Sequence, residues 1–115
     1  MKNIIKRYSF PTIFFSIMLI ILFTNRPAFV NGISMYPTLK HNEFVTYNSF
    51  ETAKINDVVI IKSDSFLSEK YIIKRIIDMN DNQIFVEGDN KEFSCDSRNF
   101  GWIDKELIVG VVHYI

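Results

Sequence analysis

The chain has 115 residues, of which 48% are hydrophobic and 15% aromatic, enough for one domain and too apolar for a disordered tail. Thirteen basic residues balance thirteen acidic ones, and no basic stripe with interleaved aromatics runs along the chain, which argues against a nucleic-acid partner. Cys95 is the only cysteine, so an internal disulfide and a thiolate metal cluster are both excluded.

The zero net charge hides a segregation. Residues 1–7 hold Lys2, Lys6 and Arg7 without an acid, whereas from residue 25 onward ten bases face thirteen acids. Between them, YSFPTIFFSIMLIILFT (residues 8–24) carries no charge. Its seventeen residues predict a helix of roughly 25 Å, which flanking apolar residues and snorkelling Lys6, Arg7 and Arg26 extend towards the ~30 Å of a bilayer core. A cleaved signal peptide has a similar look, but TNRPAFVNG offers no Ala-x-Ala site, so a retained signal anchor is the preferred reading. The positive-inside rule then puts residues 1–7 in the cytoplasm, 8–24 across the cell membrane as a single pass, and 25–115 outside it.

The outer segment reads as strands. EFVTY (43–47), DVVIIK (57–62), YIIKRIID (71–78), QIFVE (83–87) and ELIVGVVHYI (106–115) are rich in β-branched and aromatic residues and are separated by polar pieces. Asn80-Asp81-Asn82 predicts a hairpin, and SDSFLSEK (63–70) a loose loop. The expected fold class is mainly β: a small antiparallel sheet, barrel-like, behind one N-terminal transmembrane helix. The stretch around GISM is expected to run extended.

Chemistry has few places to reside. His41 and His113 stand in ordinary settings, Cys95 reads as a small packed side chain, and neither an HExxH spacing nor a phosphate-cradling glycine loop occurs, so no metal or cofactor is expected. A serine, Ser34 in GISMYPTL, lies within ten residues of Thr24, hence within ~35 Å of the outer membrane face. With no histidine triad, it needs another base. Strand parity puts Lys74 between Ile72 and Ile76, where desolvation would lower its pKa at about 1.4 kcal/mol per unit. Lys62, closing VVIIK, is a rival on the same logic.

Three ordered boxes resemble those of bacterial type I signal peptidases. GISMYPTL looks like the family's nucleophile box, YIIKR like its lysine box, and GDNKEFSCDSRNFGWI (88–103) like its last box, in matching order over most of the chain. The resemblance implies a membrane-bound serine endopeptidase with Ser34 as nucleophile and Lys74 as general base. It further implies that Ser94 orients the lysine amine and that Asp96 and Arg98 form a supporting ion pair. Gly32, Ile33, Met35 and Pro37 would shape the oxyanion site and substrate cleft, with the Ser34 amide as oxyanion donor, because Gly32 stands where some members carry a hydroxyl. Implied partners are exported preproteins cut after small residues at Ala-x-Ala-type sites, the lipid bilayer and the secretion machinery.

The chain departs from the family after Lys74-Arg75. The usual Gly-Leu-Pro-Gly-Asp turn is replaced by Ile76-Ile77-Asp78-Met79, and the long insertions of larger members are absent. A dedicated peptidase for one exported substrate and a catalytically silent paralogue that binds preproteins therefore stay open as alternatives. The two lysines are separable by mutation. Lys74→Ala is expected to abolish preprotein processing in a membrane fraction while Lys62→Ala keeps most of it; the reverse pattern would identify Lys62 as the base.

Overall fold

No charge and no glycine interrupt the segment from Phe10 to Thr24, and Pro11 falls in its first turn, where a missing N–H breaks no hydrogen bond. The computed structural model, which describes residues 10–114, accordingly has a helix α1 over Phe10–Thr24. Its end is closed by the Asn25 amide donating to the Ile21 carbonyl at 2.9 Å, and Pro27 biases Arg26 towards extended backbone. Phe10, Phe14, Phe15 and Leu19 are exposed, so the helix does not bury its apolar surface on the domain. Tyr8, the positive residues before it and Ile115 lie outside the described residues. Among those described, no helix is long and apolar enough to cross a membrane: α1 has fifteen residues, about 22 Å.

The rest forms one antiparallel sheet. Its strands are β1 (Arg26–Phe29), β2 (Phe44–Asn48), β3 (Val58–Lys62), β4 (Tyr71–Met79), β5 (Gln83–Glu87), β6 (Ile103–Asp104) and β7 (Ile108–His113), in the order β1-β2-β7-β3-β4-β5-β6. The sheet curls into a half-barrel whose edges β1 and β6 stay unjoined. The five expected strands are present; the last begins only at Ile108, because Lys105–Leu107 form a 3-10 turn. Two strands were not expected. RPAF is short, charged and contains a proline, a combination tolerated at an edge where Pro27 has no ladder bond to donate, and β6 has only two residues.

The sheet is buried on both sides at its centre. Along β3, Val59 and Ile61 join Ile72, Ile76, Ile84, Val86, Ile103 and Val111 in one cluster, while Val58 and Ile60 join Val30, Met35, Leu39, Val45 and Val112 in another. That alternation explains why VVIIK reads as an unbroken apolar run. The 63–70 segment is a tight turn rather than a loose loop. Buried Ser63 closes it: its amide donates to the Lys70 carbonyl at 2.8 Å and its hydroxyl to the Glu69 carbonyl at 2.6 Å. Phe66 then stacks at a tilt on Phe100, 4.9 Å between centroids. The Asn80 turn forms as expected, its carboxamide oxygen accepting from the Asn82 and Gln83 amides.

Between Ile76 and Asp78 the pairing of β4 with β5 shifts register, leaving Ile77 outside the ladder and 39% exposed while Ile76 is fully buried. This neighbouring pair tests the core. Ile76→Ala is expected to lower the unfolding free energy by about 3 kcal/mol, and Ile77→Ala by about 0.5 kcal/mol, both read from urea unfolding.

Candidate functional site

Ser34 sits in a closed turn. The Val30 amide donates to the Glu43 carbonyl at 2.9 Å and the Asn42 amide to the Val30 carbonyl at 2.7 Å, so residues 31–41 form a loop with a fixed neck. Inside it the Tyr36 amide donates to Ile33 and the Leu39 amide to Met35, and the Tyr36–Pro37 peptide bond is cis. Met35 and Leu39 anchor the loop in the core. The expected extended run at GISM is therefore not found: Gly32 adopts φ 93°, a left-handed conformation that suits glycine, and the chain turns there.

The Gly88-Asp89-Asn90 segment, which follows β5, clamps this loop. The Asn90 amide donates to the Ser34 carbonyl at 2.8 Å, its carboxamide nitrogen donates to the Ile33 carbonyl at 3.0 Å, and the Asp89 amide reaches the Met35 Sδ at 3.5 Å. A side chain at Gly88 has no room, since a Cβ there would lie 2.6 Å from the Ser34 carbonyl oxygen and against Ser94. Backbone contact thus fixes Ser34 while leaving its hydroxyl in the cleft.

Lys74 reaches the same cleft from β4. It pairs opposite Val59, lies between buried Ile72 and Ile76, and is only 4% exposed. Burial pushes its amine below the ordinary lysine value of 10.5, and the more distant charges of Asp96 and Glu69 recover only part of that shift. Among the described residues no carboxylate comes within ion-pair distance of it. Ser34 and Lys74 both line two adjoining hollows of about 460 and 410 Å³, which also share Asn31, Glu69 and Ile72. The two side chains are not hydrogen-bonded to each other in this structure, an arrangement common before substrate closes a site. Lys62 is exposed and lines neither hollow.

Asp96 organises the segment that brings Phe93 and Cys95 to the smaller hollow. Fully buried, it accepts five hydrogen bonds: from the Gly88 amide, the Ser94 hydroxyl at 2.8 Å, the Arg98 amide, and the Arg98 Nε and Nη2 at 2.9 Å each. Burial alone would favour its neutral form, but the Arg98 guanidinium and these donors outweigh that and hold the carboxyl well below the usual range. Asp96 also caps the short helix α2 (Ser97–Phe100). Because Ser94 donates its proton to Asp96, the hydroxyl oxygen is left as an acceptor. Arg98 is partly exposed and continues to the Lys91 carbonyl at 2.9 Å.

Other features were not foreseen in the sequence. Arg75, pointing opposite to Lys74, makes a two-pronged pair with Asp89 at 2.9 and 2.8 Å and donates to the Asn56 carbonyl and the Tyr114 hydroxyl. It thereby ties the lysine strand to the segment that clamps Ser34; strand parity was the available signal. Glu69 borders both hollows. Cys95 is exposed on the wall of the smaller one, not packed, because its neighbours Ser94 and Asp96 take the inward positions. His113 pairs with Glu51 at 3.0 Å, and His41 accepts from the Gly32 amide. Among the described residues, no cluster of three His, Cys, Asp or Glu side chains is placed to hold a metal ion.

The family model described as signal peptidase, peptidase S26, matches residues 1–80 and 78–115. No curated protein gives a significant match.

Two substitutions separate architecture from chemistry. Gly88→Ala is expected to cut activity at least tenfold by displacing the Ser34 backbone. Lys74→Met, which removes a desolvated amine from an apolar strand, is expected to raise the unfolding free energy by about 1 kcal/mol while eliminating turnover, as measured by urea unfolding beside a peptide-cleavage assay.

Proposed function

This chain belongs to the peptidase S26 family of signal peptidases, and we propose that it removes signal peptides from exported preproteins with a Ser34/Lys74 dyad. Membership implies serine peptidase activity and signal-peptide-bearing preproteins as substrates, in a family that is generally membrane-associated. The observation that carries the finer reading is a buried, desolvated lysine on the wall of the cleft that holds the only serine of the nucleophile box.

In this mechanism the neutral amine of Lys74 takes the proton from the Ser34 hydroxyl as its oxygen attacks the scissile carbonyl carbon. The Ser34 amide, which donates to no acceptor among the described residues, supplies a donor for the developing oxyanion. Lys74 returns the proton to the departing amine, leaving an acyl ester on Ser34. It then deprotonates a water that attacks the ester, and passes that proton to the Ser34 oxygen as the ester bond breaks, which restores the hydroxyl and the neutral amine. The Ser94 oxygen accepts from the amine and aims its lone pair, a role supported by the bond that commits Ser94's own proton to Asp96. Asp96 and Arg98 are the positioning pair behind it.

The larger hollow runs between Ala28–Asn31 and Tyr71–Lys74, with Met35, Tyr47 and Ile60 on its floor. It suits an extended chain whose alternate side chains point inwards. The residues one and three before the scissile bond then meet the apolar side chains of that floor, which hold small groups and penalise charge. We assign residues 25–115 to the peptidase domain outside the membrane, residues 8–24 to a single-pass anchor and residues 1–7 to the cytoplasm. The uncovered apolar surface of α1 and the positive charges before it support that assignment.

The test uses the full-length chain in detergent with a preprotein, sequencing the new N-terminus. Ser34→Ala is expected to abolish cleavage. The wild-type rate is expected to rise with pH as Lys74 loses its proton and then to level, because the deprotonated amine is the working form and burial moves that step below 10.5. A Phe or Asp placed one or three residues before the cut should slow cleavage by orders of magnitude. An optimum near pH 5 with an active Ser34→Ala would refute the dyad.

A further inference from the structure

The nucleophile loop has a second clamp that the reaction as described does not use. The Gly32 amide, two residues before Ser34, donates to Nδ1 of His41 at 2.8 Å, across nine residues of chain. We propose that His41 is a positioning residue for Ser34, its Nδ1 lone pair holding the Gly32 peptide and through it the orientation of the nucleophile. The inference rests on the reading of Ser34 as nucleophile.

Little else holds Gly32 in place. Its φ of 93° is available to many glycine conformers, and a Cβ built there would meet no atom within 4 Å, so packing does not fix the residue. The Asn90 clamp engages the carbonyls of Ile33 and Ser34 from one side; His41 engages an N–H on the other. Together they pin both ends of the Gly32–Ser34 segment. Removing the His41 acceptor frees the Gly32 peptide to rotate, and a hydroxyl displaced by about 1 Å from its attack position loses up to a hundredfold in rate.

The bond also depends on protonation. Nδ1 accepts only in the neutral ring that carries its proton on Nε2; an imidazolium presents N–H at both nitrogens, and donor would face donor. Lys40 and Glu43 flank His41 in its own turn, where the Glu43 carboxylate accepts from the Lys40 amide at 3.4 Å, and the Val30–Ser34 segment against it carries no charged group.

The experiment compares full-length wild type with His41→Leu, His41→Asn and Ser34→Ala on a signal-peptide substrate, after thermal unfolding has established that each variant is folded. His41→Leu is expected to lower kcat about tenfold or more with KM within about twofold. His41→Asn, whose Oδ1 replaces the Nδ1 acceptor, should keep most of kcat. A folded His41→Leu with wild-type kcat, beside an inactive Ser34→Ala, would overturn the inference and leave the dyad intact. Equal losses in His41→Asn and His41→Leu would also overturn it, because ring packing rather than the acceptor would then be responsible. An active Ser34→Ala would instead overturn the nucleophile reading on which it stands.

Discussion

A lysine amine held among isoleucines is the constraint around which this domain is arranged. Lys74 occupies the slot between Ile72 and Ile76 that an aliphatic side chain would fill more stably, and its charge is disfavoured there by loss of water. Asp96, the acid that pulls hardest on the amine, is bonded to Arg98, Ser94 and the Gly88 amide, and the Arg98 charge offsets part of that pull. Without Arg98, the same carboxylate would favour the ammonium more strongly.

The Gly88–Arg98 segment therefore acts on both sides of the cleft. At one end Gly88 and Asn90 lie against the Ser34 and Ile33 carbonyls; at the other Asp96 sets the direction of the Ser94 hydroxyl. Asp96 links the ends by accepting from the Gly88 amide and capping α2. Arg75 adds a third tie, from the opposite face of β4 to Asp89. A displacement of β4 is thus resisted by the same segment that holds the serine loop. This coupling keeps two side chains 40 residues apart in sequence on the walls of one cleft.

A domain this small achieves such rigidity with few parts. The half-barrel leaves β1 and β6 as edges, and β1 blunts its own with Pro27. Packing on both faces of β3 gives two clusters in place of one thin core, and the serine loop is part of the second through Met35 and Leu39. The site is in this sense an extension of the core, with Ser34 and Lys74 placed where apolar side chains leave off.

Much of this is legible in residue order. Runs such as VVIIK and QIFVE determine strands because period-two burial and β-branching are local properties, and the isoleucines beside Lys74 determine its face through parity alone. The boxes around Ser34, Lys74 and Ser94 are legible for the same reason: each is a short stretch whose chemistry is written in adjacent residues. What lies between distant stretches is not. The β1 edge, the exposure of Cys95, the Arg75 pair with Asp89 and the His41 bond to Gly32 depend on which strands meet and how the chain returns. The turned conformation of GISM, where an extended one was expected, has the same origin: its neck is closed by bonds among Val30, Asn42 and Glu43, and its carbonyls by Asn90 from the far end of the chain. The sequence by itself determined the strands, the apolar helix and the chemistry of the boxes, since those follow from local sterics and side-chain type. Tertiary structure alone decided which groups face each other across the cleft, because hydrogen bonds and desolvation act through space and are set only when non-local segments pack.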